Sequence, residues 1–343
     1  MNIAFRVDSS EKIGSGHFTR CFAFSNLIKK SKKKIFFISK NLSLTQKKLI
    51  KKNKINLINL DKNFSSSKDD ISFFINLLSK NNISTLILDN YETKNFFKAE
   101  IKKYLNKLIV IDDRINEKHN CNILINSNFI NKNEKIIIKK MNPSTQIFMG
   151  LHCSPTLPKK FVLRKIRKFK KVFVFFGTVD KENFTEKILR ILSKYNSFSV
   201  YVVIGIFNKR KKILKKKYSK KHIKIFEDID NKKILKIIGN SDFAIGSGGV
   251  NLVERISLCL PSIVISKIKN QRKSLKNLKN SGLIIKKKIS DVNENFFKDL
   301  ILENTHEFKK LMSVTKLTYD MSSKLKKDRE IFFNKNLPKI LNY

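Results

Sequence analysis

Short apolar runs alternate with helical patterns along almost the whole chain. The runs are rich in β-branched residues and phenylalanine, which is typical of strands covered on both faces in a parallel sheet. The alternation comes in two series and predicts an α/β protein. We predict strands at Asn2–Val7, Lys34–Ile38, Ile55–Leu60, Thr85–Asp89 and Leu108–Asp112, then at Lys171–Phe176, Ser199–Ile204, Lys224–Phe226, Asp242–Ile245, Ser262–Ser266 and Leu283–Lys286.

The length and one break in the pattern indicate two domains. The chain has 343 residues, more than the roughly 250 to 300 at which a single core stops growing. Between Met149 and Phe169, Pro155 and Pro158 interrupt the pattern, and we interpret this part as a linker. We therefore predict two Rossmann-like domains that face a cleft, at 1–150 and 170–290, with a linker at 151–169 and C-terminal helices at 291–343. Ligands of such sheets bind at the carboxyl ends of the strands.

The hydropathy pattern predicts no membrane-spanning helix. No run approaches the roughly 18 uninterrupted apolar residues of a membrane-spanning helix. The N-terminus turns polar at Asp8 before the apolar stretch of a signal peptide develops. We expect a cytoplasmic protein, and a monomer.

The net charge of +45 would ordinarily suggest nucleic acid as a partner. However, only 10 of the 73 basic residues are arginine, and lysine, asparagine, isoleucine and phenylalanine all have A/T-rich codons. The lysines are scattered and lack the interleaving with aromatic residues of a base-reading surface. We predict no specific nucleic-acid partner, although a positive field favours the approach of an anionic small molecule.

The cysteines give no sign of a metal or a cofactor. Cys21, Cys121, Cys153 and Cys259 are far apart and show no C-x-x-C spacing, so neither a zinc site nor a disulfide framework is indicated. We expect reduced cysteines, no metal site and no cofactor.

The first segment with chemical potential follows the first predicted strand. Gly14 and Gly16 allow a tight turn and a close approach to a ligand, and His17 opens the next helix, whose amide groups can hold an anion. G-x-G alone is a weak signal. From the spacing, His17 is equally well interpreted as a helix cap or as a catalytic residue.

The second segment is the glycine-rich turn Gly246-Ser247-Gly248-Gly249, which leads into a helix that carries Glu254. Exposed amides suit a diphosphate, and a carboxylate one turn into the helix could accept both ribose hydroxyls. The alternative is a structural turn in which Glu254 stabilises its helix. We favour the ligand-binding interpretation, because three glycines in four residues cost backbone entropy unless a close approach requires them.

Polar residues follow three further predicted strands. Asn270 and Gln271 could hydrogen-bond a sugar or merely cap a helix. Asp89 and the pair Asp112-Asp113 stand at strand ends. Because adjacent strand residues point to opposite faces, we expect at least one aspartate of the pair to structure its loop.

In their order along the chain, these segments resemble one family, the UDP-2,4-diacetamido-2,4,6-trideoxy-β-L-altropyranose hydrolases of pseudaminic acid synthesis, which have a glycosyltransferase-B-like fold. The resemblance extends from residue 3 to about residue 285. It rests on Arg6, Asp8, Ser10, Ile13, Gly14, Gly16, His17 and Arg20, on Asp89-Asn90-Tyr91, on Ile111-Asp112-Asp113 with His119-Asn120-Cys121-Asn122, on Gly177 to Thr185, on Ser247 to Glu254 and on Asn270-Gln271. The chain departs from the family pattern at Asn90, where the family has histidine, at Asn122, where it has aspartate, and at Thr178, where it has glycine.

The resemblance implies a metal-independent hydrolase in which water attacks the anomeric carbon with inversion and UDP leaves. The partners are then the UDP-sugar and water, and His17 is the general base. The implied substrate-binding and nucleotide-binding residues are Asp8, Gly14, Gly16, Arg20, Tyr91, Gly177, Asp180, Ser247, Gly248, Gly249, Asn251, Glu254, Asn270 and Gln271.

Two other functions are compatible with the sequence. A glycosyltransferase would use a sugar or lipid hydroxyl in place of water, and an amphipathic basic membrane-docking surface with apolar residues near the cleft would favour it. A nucleotide-sugar-binding protein without activity would not need His17.

Overall fold

The computed structural model describes residues 2–28, 33–266 and 271–341. The chain divides into two compact units, Met1–Pro155 with Arg329–Tyr343, and Thr156–Asp328. Lys269 and Asn270 lie outside the described residues. No helix in the described ranges is both long and apolar enough to cross a membrane.

The first unit contains a seven-stranded parallel sheet in the order β3-β2-β1-β4-β5-β6-β7. Its strands are β1 (Asn2–Val7), β2 (Ile35–Ser39), β3 (Asn56–Asn59), β4 (Ile83–Asp89), β5 (Lys107–Ile111), β6 (Ile123–Asn126) and β7 (Gln146–Met149). Its helices are α1 (Gly16–Ile28), α2 (Leu44–Lys52), α3 (Asp70–Lys80), α4 (Asn95–Lys102) and α5 (Lys132–Met141).

Both faces of this sheet are buried, as the near-continuous apolar runs predict. Ile3, Phe5 and Val7 of β1 pack with α1 in one core cluster. Ala4 between them packs in a second cluster with Phe74 of α3. Successive strand residues point to opposite faces, so a strand that is apolar at nearly every position is typical of a sheet covered on both sides.

The end of the chain completes the core of the first unit. The segment from Arg329 to Tyr343 belongs to that unit, and it includes a π-helical turn, Ile331–Asn336, and the helix α13 (Leu337–Leu341). Phe332 and Phe333 pack in the cluster that contains α1, and the Phe332 ring lies 5.2 Å from that of Phe148.

The second unit contains a six-stranded parallel sheet in the order β10-β9-β8-β11-β12-β13. Its strands are β8 (Lys171–Phe175), β9 (Ser199–Ile204), β10 (Ile223–Glu227), β11 (Phe243–Gly246), β12 (Ser262–Val264) and β13 (Ile285–Lys286). Its helices are α6 (Phe184–Leu192), α7 (Lys211–Tyr218), α8 (Asn231–Gly239), α9 (Val250–Ser257), α10 (Arg272–Asn280), α11 (Glu294–Ile301) and α12 (His306–Glu330), whose last residues pass into the first unit.

Two parallel-sheet Rossmann-like domains and C-terminal helices confirm the predicted fold class. Three elements between Ile123 and Met149, namely β6, α5 and β7, were not predicted from the sequence. Both strands have only four residues, and β7 is a half-buried edge strand. Runs this short carry too little periodicity to be separated from a loop.

Candidate active site

Each sheet has one place where the chain reverses its direction of winding. In the first sheet β1 lies between β2 and β4, and in the second β8 lies between β9 and β11. The connections to the two neighbours of such a strand run to opposite sides, which opens a crevice at the carboxyl ends of the strands. The segments singled out in the sequence follow these strands, with His17 after β1, Asp89 at the end of β4, Gly177 after β8 and Ser247 after β11.

In the first unit His17 is paired with a buried carboxylate. Gly14 has a φ of 79°, a conformation that favours glycine, and the chain then enters α1 at Gly16. The Nδ1 atom of His17 lies 2.6 Å from Oδ1 of Asp89, and the side chains are 17% and 0% exposed respectively. Because the carboxylate holds Nδ1, proton exchange with a bound molecule falls to Nε2.

Arg20, one turn further along α1, binds the same carboxylate. Its Nε and Nη2 donate to the two oxygens of Asp89 at 2.8 Å each, and Nη1 donates to Asp113 at 2.6 Å. Burial opposes ionisation of Asp89, but the charges and hydrogen bonds of Arg20 and His17 hold its pKa well below the ordinary value. Asp89 is therefore an anion that accepts hydrogen bonds from both residues.

Tyr91 forms one wall of this cluster. Its ring meets the His17 ring edge-on at 4.6 Å, the Arg114 guanidinium lies 4.9 Å from its centre, and its hydroxyl donates to Asp113 at 3.4 Å. Burial, then the charge of Asp113, raises the pKa of Tyr91 well above its usual value. Tyr91 therefore stays protonated and orients His17 by packing.

The carboxylate of Asp8 is bound within the protein. It pairs with Arg6 at 2.7 Å and accepts hydrogen bonds from Ser39, the backbone amide of Lys40 and the Asn90 amide at 3.2, 2.8 and 2.9 Å. Burial opposes ionisation, but Arg6 and Lys40 outweigh it and lower the pKa of Asp8. Asp8 thus ties the end of β1 to the two neighbouring strand ends.

Asp112 and Asp113 face different partners, as the alternation of strand residues predicts. Asp113 binds Arg20, whereas Asp112 binds the guanidinium of Arg114 at 2.7 Å and lies 3.5 Å from Nε2 of His119. Nδ1 of His119 contacts the ammonium of buried Lys98 at 2.9 Å. Burial and Lys98 lower the pKa of His119 to about 4, so this histidine is neutral. Asp112 therefore structures the loop that presents Arg114 to Tyr91.

In the second unit, Gly177 and Asp180 form the turn after β8. Gly177 has a φ of 87°. The carboxylate of Asp180 accepts the backbone amides of Phe184 and Thr185 at 2.9 Å each, at the start of α6. Burial raises the pKa of Asp180 despite these hydrogen bonds. Asp180 thus fixes this turn to the helix that follows.

Two glycines of the next turn are required by the protein's own packing. A Cβ atom on Gly246 would come within 2.1 Å of the Phe175 carbonyl oxygen, and one on Gly248 within 2.5 Å of the Leu275 side chain. Both distances are far below van der Waals contact. Close approach between protein groups thus accounts for these two glycines, an explanation that the sequence analysis did not include.

Glu254 and Asn251 lie on the first turns of α9. Nδ2 of Asn251 donates to Oε2 of Glu254 at 2.6 Å. Glu254 is 2% exposed, and its Oε1 has no hydrogen-bond partner within the described ranges. Burial raises the pKa of Glu254 to about 7, against the lowering effect of the Asn251 and Asn231 amides and of Arg255. A half-satisfied buried carboxyl group can still accept a hydrogen bond from a ligand.

Gln271 lies beside the same turn. Its Oε1 accepts a hydrogen bond from the Ser266 hydroxyl at 2.9 Å, and its Nε2 would be 3.5 Å from a Cβ on Gly249. The structure thus brings together Gly249 and Gln271. Its predicted companion Asn270 lies outside the described residues.

Comparisons with known proteins identify the fold. No protein-family model and no curated protein matches the chain. The S. aureus MnaA–UDP co-structure has a TM-score of 0.63 at 12% identity, covering 100% of this chain and 97% of that one. The spinosyn rhamnosyltransferase SpnG with spinosyn aglycone has a TM-score of 0.63 at 8% identity, covering 97% and 99%. The Neisseria meningitidis UDP-GlcNAc 2-epimerase bound to UDP-GlcNAc has a TM-score of 0.55 at 12% identity, covering 95% and 100%. At these identities the similarity shows a shared glycosyltransferase-B-like fold.

The cluster around Asp89 is the part of the site that sequence reasoning missed. Asp89 and Asp113 were noted only as strand-end carboxylates, and Arg20 was not connected to either.

Within the described ranges, no group of three or more His, Cys, Asp or Glu side chains is arranged to hold a metal ion.

Proposed function

We propose that this protein hydrolyses a UDP-activated 2,4-diacetamido-2,4,6-trideoxy sugar, UDP-2,4-diacetamido-2,4,6-trideoxy-β-L-altropyranose, to UDP and the free sugar. The observation that carries the proposal is the hydrogen bond between His17 and the fully buried Asp89 at the winding reversal of the first sheet. An imidazole oriented by a buried carboxylate is well suited to general-base catalysis. The sequence resemblance supports the identity of the sugar.

In this proposal His17 activates water. Nε2 accepts one proton as the water oxygen bonds to the anomeric carbon, and the bond from that carbon to the UDP oxygen breaks with inversion. The Asp89 anion stabilises the imidazolium that forms, and it keeps Nδ1 in the protonated state beforehand. UDP leaves as an anion and needs electrostatic support more than a proton.

We assign the nucleotide to the second unit. The amides of Ser247, Gly248 and Gly249 precede α9, where a helix N-terminus favours a diphosphate. The unsatisfied Oε1 of Glu254 supports its assignment to the ribose hydroxyls. UDP or a UDP-sugar is bound in two of the compared structures, by their names. From the sequence resemblance we assign Gly177, Asp180, Asn251 and Gln271 to nucleotide binding, and Asp8, Gly14, Gly16, Arg20 and Tyr91 to sugar binding.

One surface favours the second candidate, a glycosyltransferase that acts on a membrane-bound hydroxyl. On α5, Ile136 and Ile137 are exposed beside Lys135 and Lys139, which are also exposed. Exposed apolar residues with flanking lysines suit the surface of an anionic membrane. An oriented His17 would activate an alcohol as readily as water.

The test is to incubate the protein with a panel of UDP-diamino sugars without any acceptor and to measure free UDP. Release at enzymatic rates is expected, whereas a transferase would release UDP only when an acceptor is added. His17→Ala should lower kcat by about 10² to 10⁴ with KM nearly unchanged, since a general base acts in the transition state.

His306, an exposed histidine at the start of α12, provides the matched control, and His306→Ala should leave kcat unaltered. A folded His17→Ala protein that retains most of its kcat would remove the proposed general base. A rise in KM alone would reassign His17 to substrate binding.

A further inference from the structure

A fully buried arginine lies directly behind the glycine turn of the second unit. Arg255 follows Glu254 on α9 and is 1% exposed. Its Nη2 donates to the carbonyl oxygen of Ser247. Its Nε and Nη1 are buried and have no hydrogen-bond partner within the described ranges. Buried arginines ordinarily have their donors satisfied, so this one requires an explanation.

Arg255 is a poorly compensated cation. Burial lowers its pKa to about 9, with Glu254 as the one opposing influence within the described ranges, so the guanidinium remains charged at neutral pH. Glu254 is itself a weak counter-charge, because burial raises its pKa to about 7. A buried charge of this kind destabilises the unliganded protein unless an anion compensates it.

The guanidinium of Arg255 lies against the glycine turn that precedes α9. The Arg255 Nη1 atom is 3.3 Å from the position of a Cβ on Gly246, so glycine at that position leaves room for the guanidinium. Its bond to the Ser247 carbonyl turns that oxygen toward the protein interior. The N-terminus of α9, where Gly249 is the N-cap residue, adds positive potential to the same turn.

We propose that Arg255 is the buried counter-charge of an anionic ligand, the diphosphate of a nucleoside diphosphate bound at Ser247–Gly249. The inference rests on the proposed nucleotide site and deepens it. Arg255 is a positioning residue, which acts on the ligand through Ser247 and through its charge.

The test uses Arg255→Met, which has a similar length and no charge. Calorimetry on the full-length protein would measure affinity for UDP, pyrophosphate and uridine, and thermal unfolding would be followed with and without UDP. We expect UDP and pyrophosphate to bind about 10- to 100-fold more weakly, as for charges roughly 6 to 10 Å apart at an effective dielectric constant of about 20. Uridine affinity should change less than about twofold, because uridine carries no phosphate charge.

The unfolding temperature of the unliganded protein separates this role from a structural one. Removing an uncompensated buried charge should leave that temperature unchanged or raise it, while the increase on adding UDP becomes smaller. A merely structural arginine predicts the reverse, a lower temperature without ligand and an unchanged increase with UDP, and that result would overturn the proposal.

Two further variants complete the design. Arg255→Lys keeps the charge and should retain most of the UDP affinity, so a loss equal to that of Arg255→Met would refute the role of charge. Arg329, also buried with an unpartnered Nε within the described ranges, belongs to the first unit, and Arg329→Met should leave UDP affinity unaltered.

The two proposals fail separately. If the wild-type protein binds UDP and Arg255→Met binds it equally well, the counter-charge is refuted and the proposed function stands. If the wild-type protein binds pyrophosphate but not UDP, and Arg255→Met loses that binding, the anion site is supported and the UDP-sugar function is refuted.

Discussion

Replacing Asp89 by asparagine tests whether His17 and its carboxylate act as one catalytic unit. The substitution keeps the size of the side chain but removes its charge. The carboxylate of Asp89 now accepts from three donors, one on His17 and two on Arg20, at 2.6 to 2.8 Å. The oxygen of the asparagine amide could still accept from some of them, but its NH₂ group, itself a donor, would face another. Nδ1 of His17 would then lose its anionic partner or adopt the wrong tautomer.

The expected loss in kcat is about 10² to 10⁴, or roughly 3 to 5 kcal/mol in the activation barrier at about 1.4 kcal/mol per factor of ten. KM should change little, because the imidazolium forms only during the reaction. Stability should fall by about 1 to 3 kcal/mol. Arg20 keeps its ion pair with Asp113 at 2.6 Å, so the larger cost of a completely unpaired buried charge is avoided.

The stability of Asp89→Asn should also respond differently to acid. The pKa of Asp89 is lowered on folding, so the wild-type protein has a stabilising contribution above the unfolded value of about 3.9. That contribution is lost as the pH falls through the folded-state pKa. Denaturant titrations between about pH 6 and about pH 3 should therefore show a shallower loss of stability in Asp89→Asn than in the wild type.

A double-mutant cycle with His17→Ala provides the decisive assay, with UDP release measured for the wild type, both single variants and the double variant. If Asp89 acts through His17, Asp89→Asn should cost less than about fivefold in the His17→Ala background, since residues of one catalytic unit are strongly non-additive. A loss in kcat of about 10² to 10⁴ on adding Asp89→Asn to His17→Ala would refute the reasoning. So would a folded Asp89→Asn protein with wild-type kcat.

Four further predictions concern the second unit and the metal requirement. Glu254→Ala should weaken UDP binding by about 1.5 to 3 kcal/mol in calorimetry, and unchanged affinity in a folded variant would place the ribose elsewhere. The pKa of Glu254 is raised to about 7 in the folded protein, so the folded state holds a proton that the unfolded state loses above about pH 4.5. The free energy of unfolding should therefore fall as the pH rises from about 4.5 to about 7. The denaturant midpoint of Glu254→Gln should not show this fall. Gly246→Ala should destabilise by about 1 to 3 kcal/mol or more in denaturant titrations, because its Cβ would come within 2.1 Å of the Phe175 oxygen, whereas Gly239→Ala, with nothing within 4 Å, should be neutral or stabilising. UDP release should survive EDTA, and its loss with restoration by a divalent cation would contradict a metal-independent reaction.

The fold was predictable because burial on both faces of a parallel sheet leaves a direct mark on the sequence. Phe5 and Phe37 are fully buried in neighbouring strands, and no polar residue interrupts either run except Arg6, whose charge is met by Asp8. The attachment of the last residues to the first unit was not predictable. Phe332 and Phe333 are apolar and suit any core, and no local property identifies which one they join.

The sequence pointed to the separate segments of the candidate site but not to the contacts between them. The segment of His17 and the segment of Asp89 were each noticed, but 72 residues separate them. Local spacing carries no information about such a contact. Arg20 illustrates the same limit, because its two carboxylate partners stand at the ends of two other strands, β4 and β5.

Strand order supplies what spacing lacks. In a doubly wound sheet the first strand pairs with the strand to which the chain returns after crossing over, so residues that follow these two strands meet at the same crevice. Applied to the first sheet, this rule brings the turn after β1 to the end of β4, and hence His17 to Asp89. Applied to the second, it brings the turn after β8 to that after β11, and the Cβ position of Gly177 indeed lies 3.6 Å from the Ser247 hydroxyl. The rule predicts which segments meet, but not which atoms are in contact. His17 and Arg20 both bind Asp89 because they lie one turn apart on α1, where residues three apart share a face.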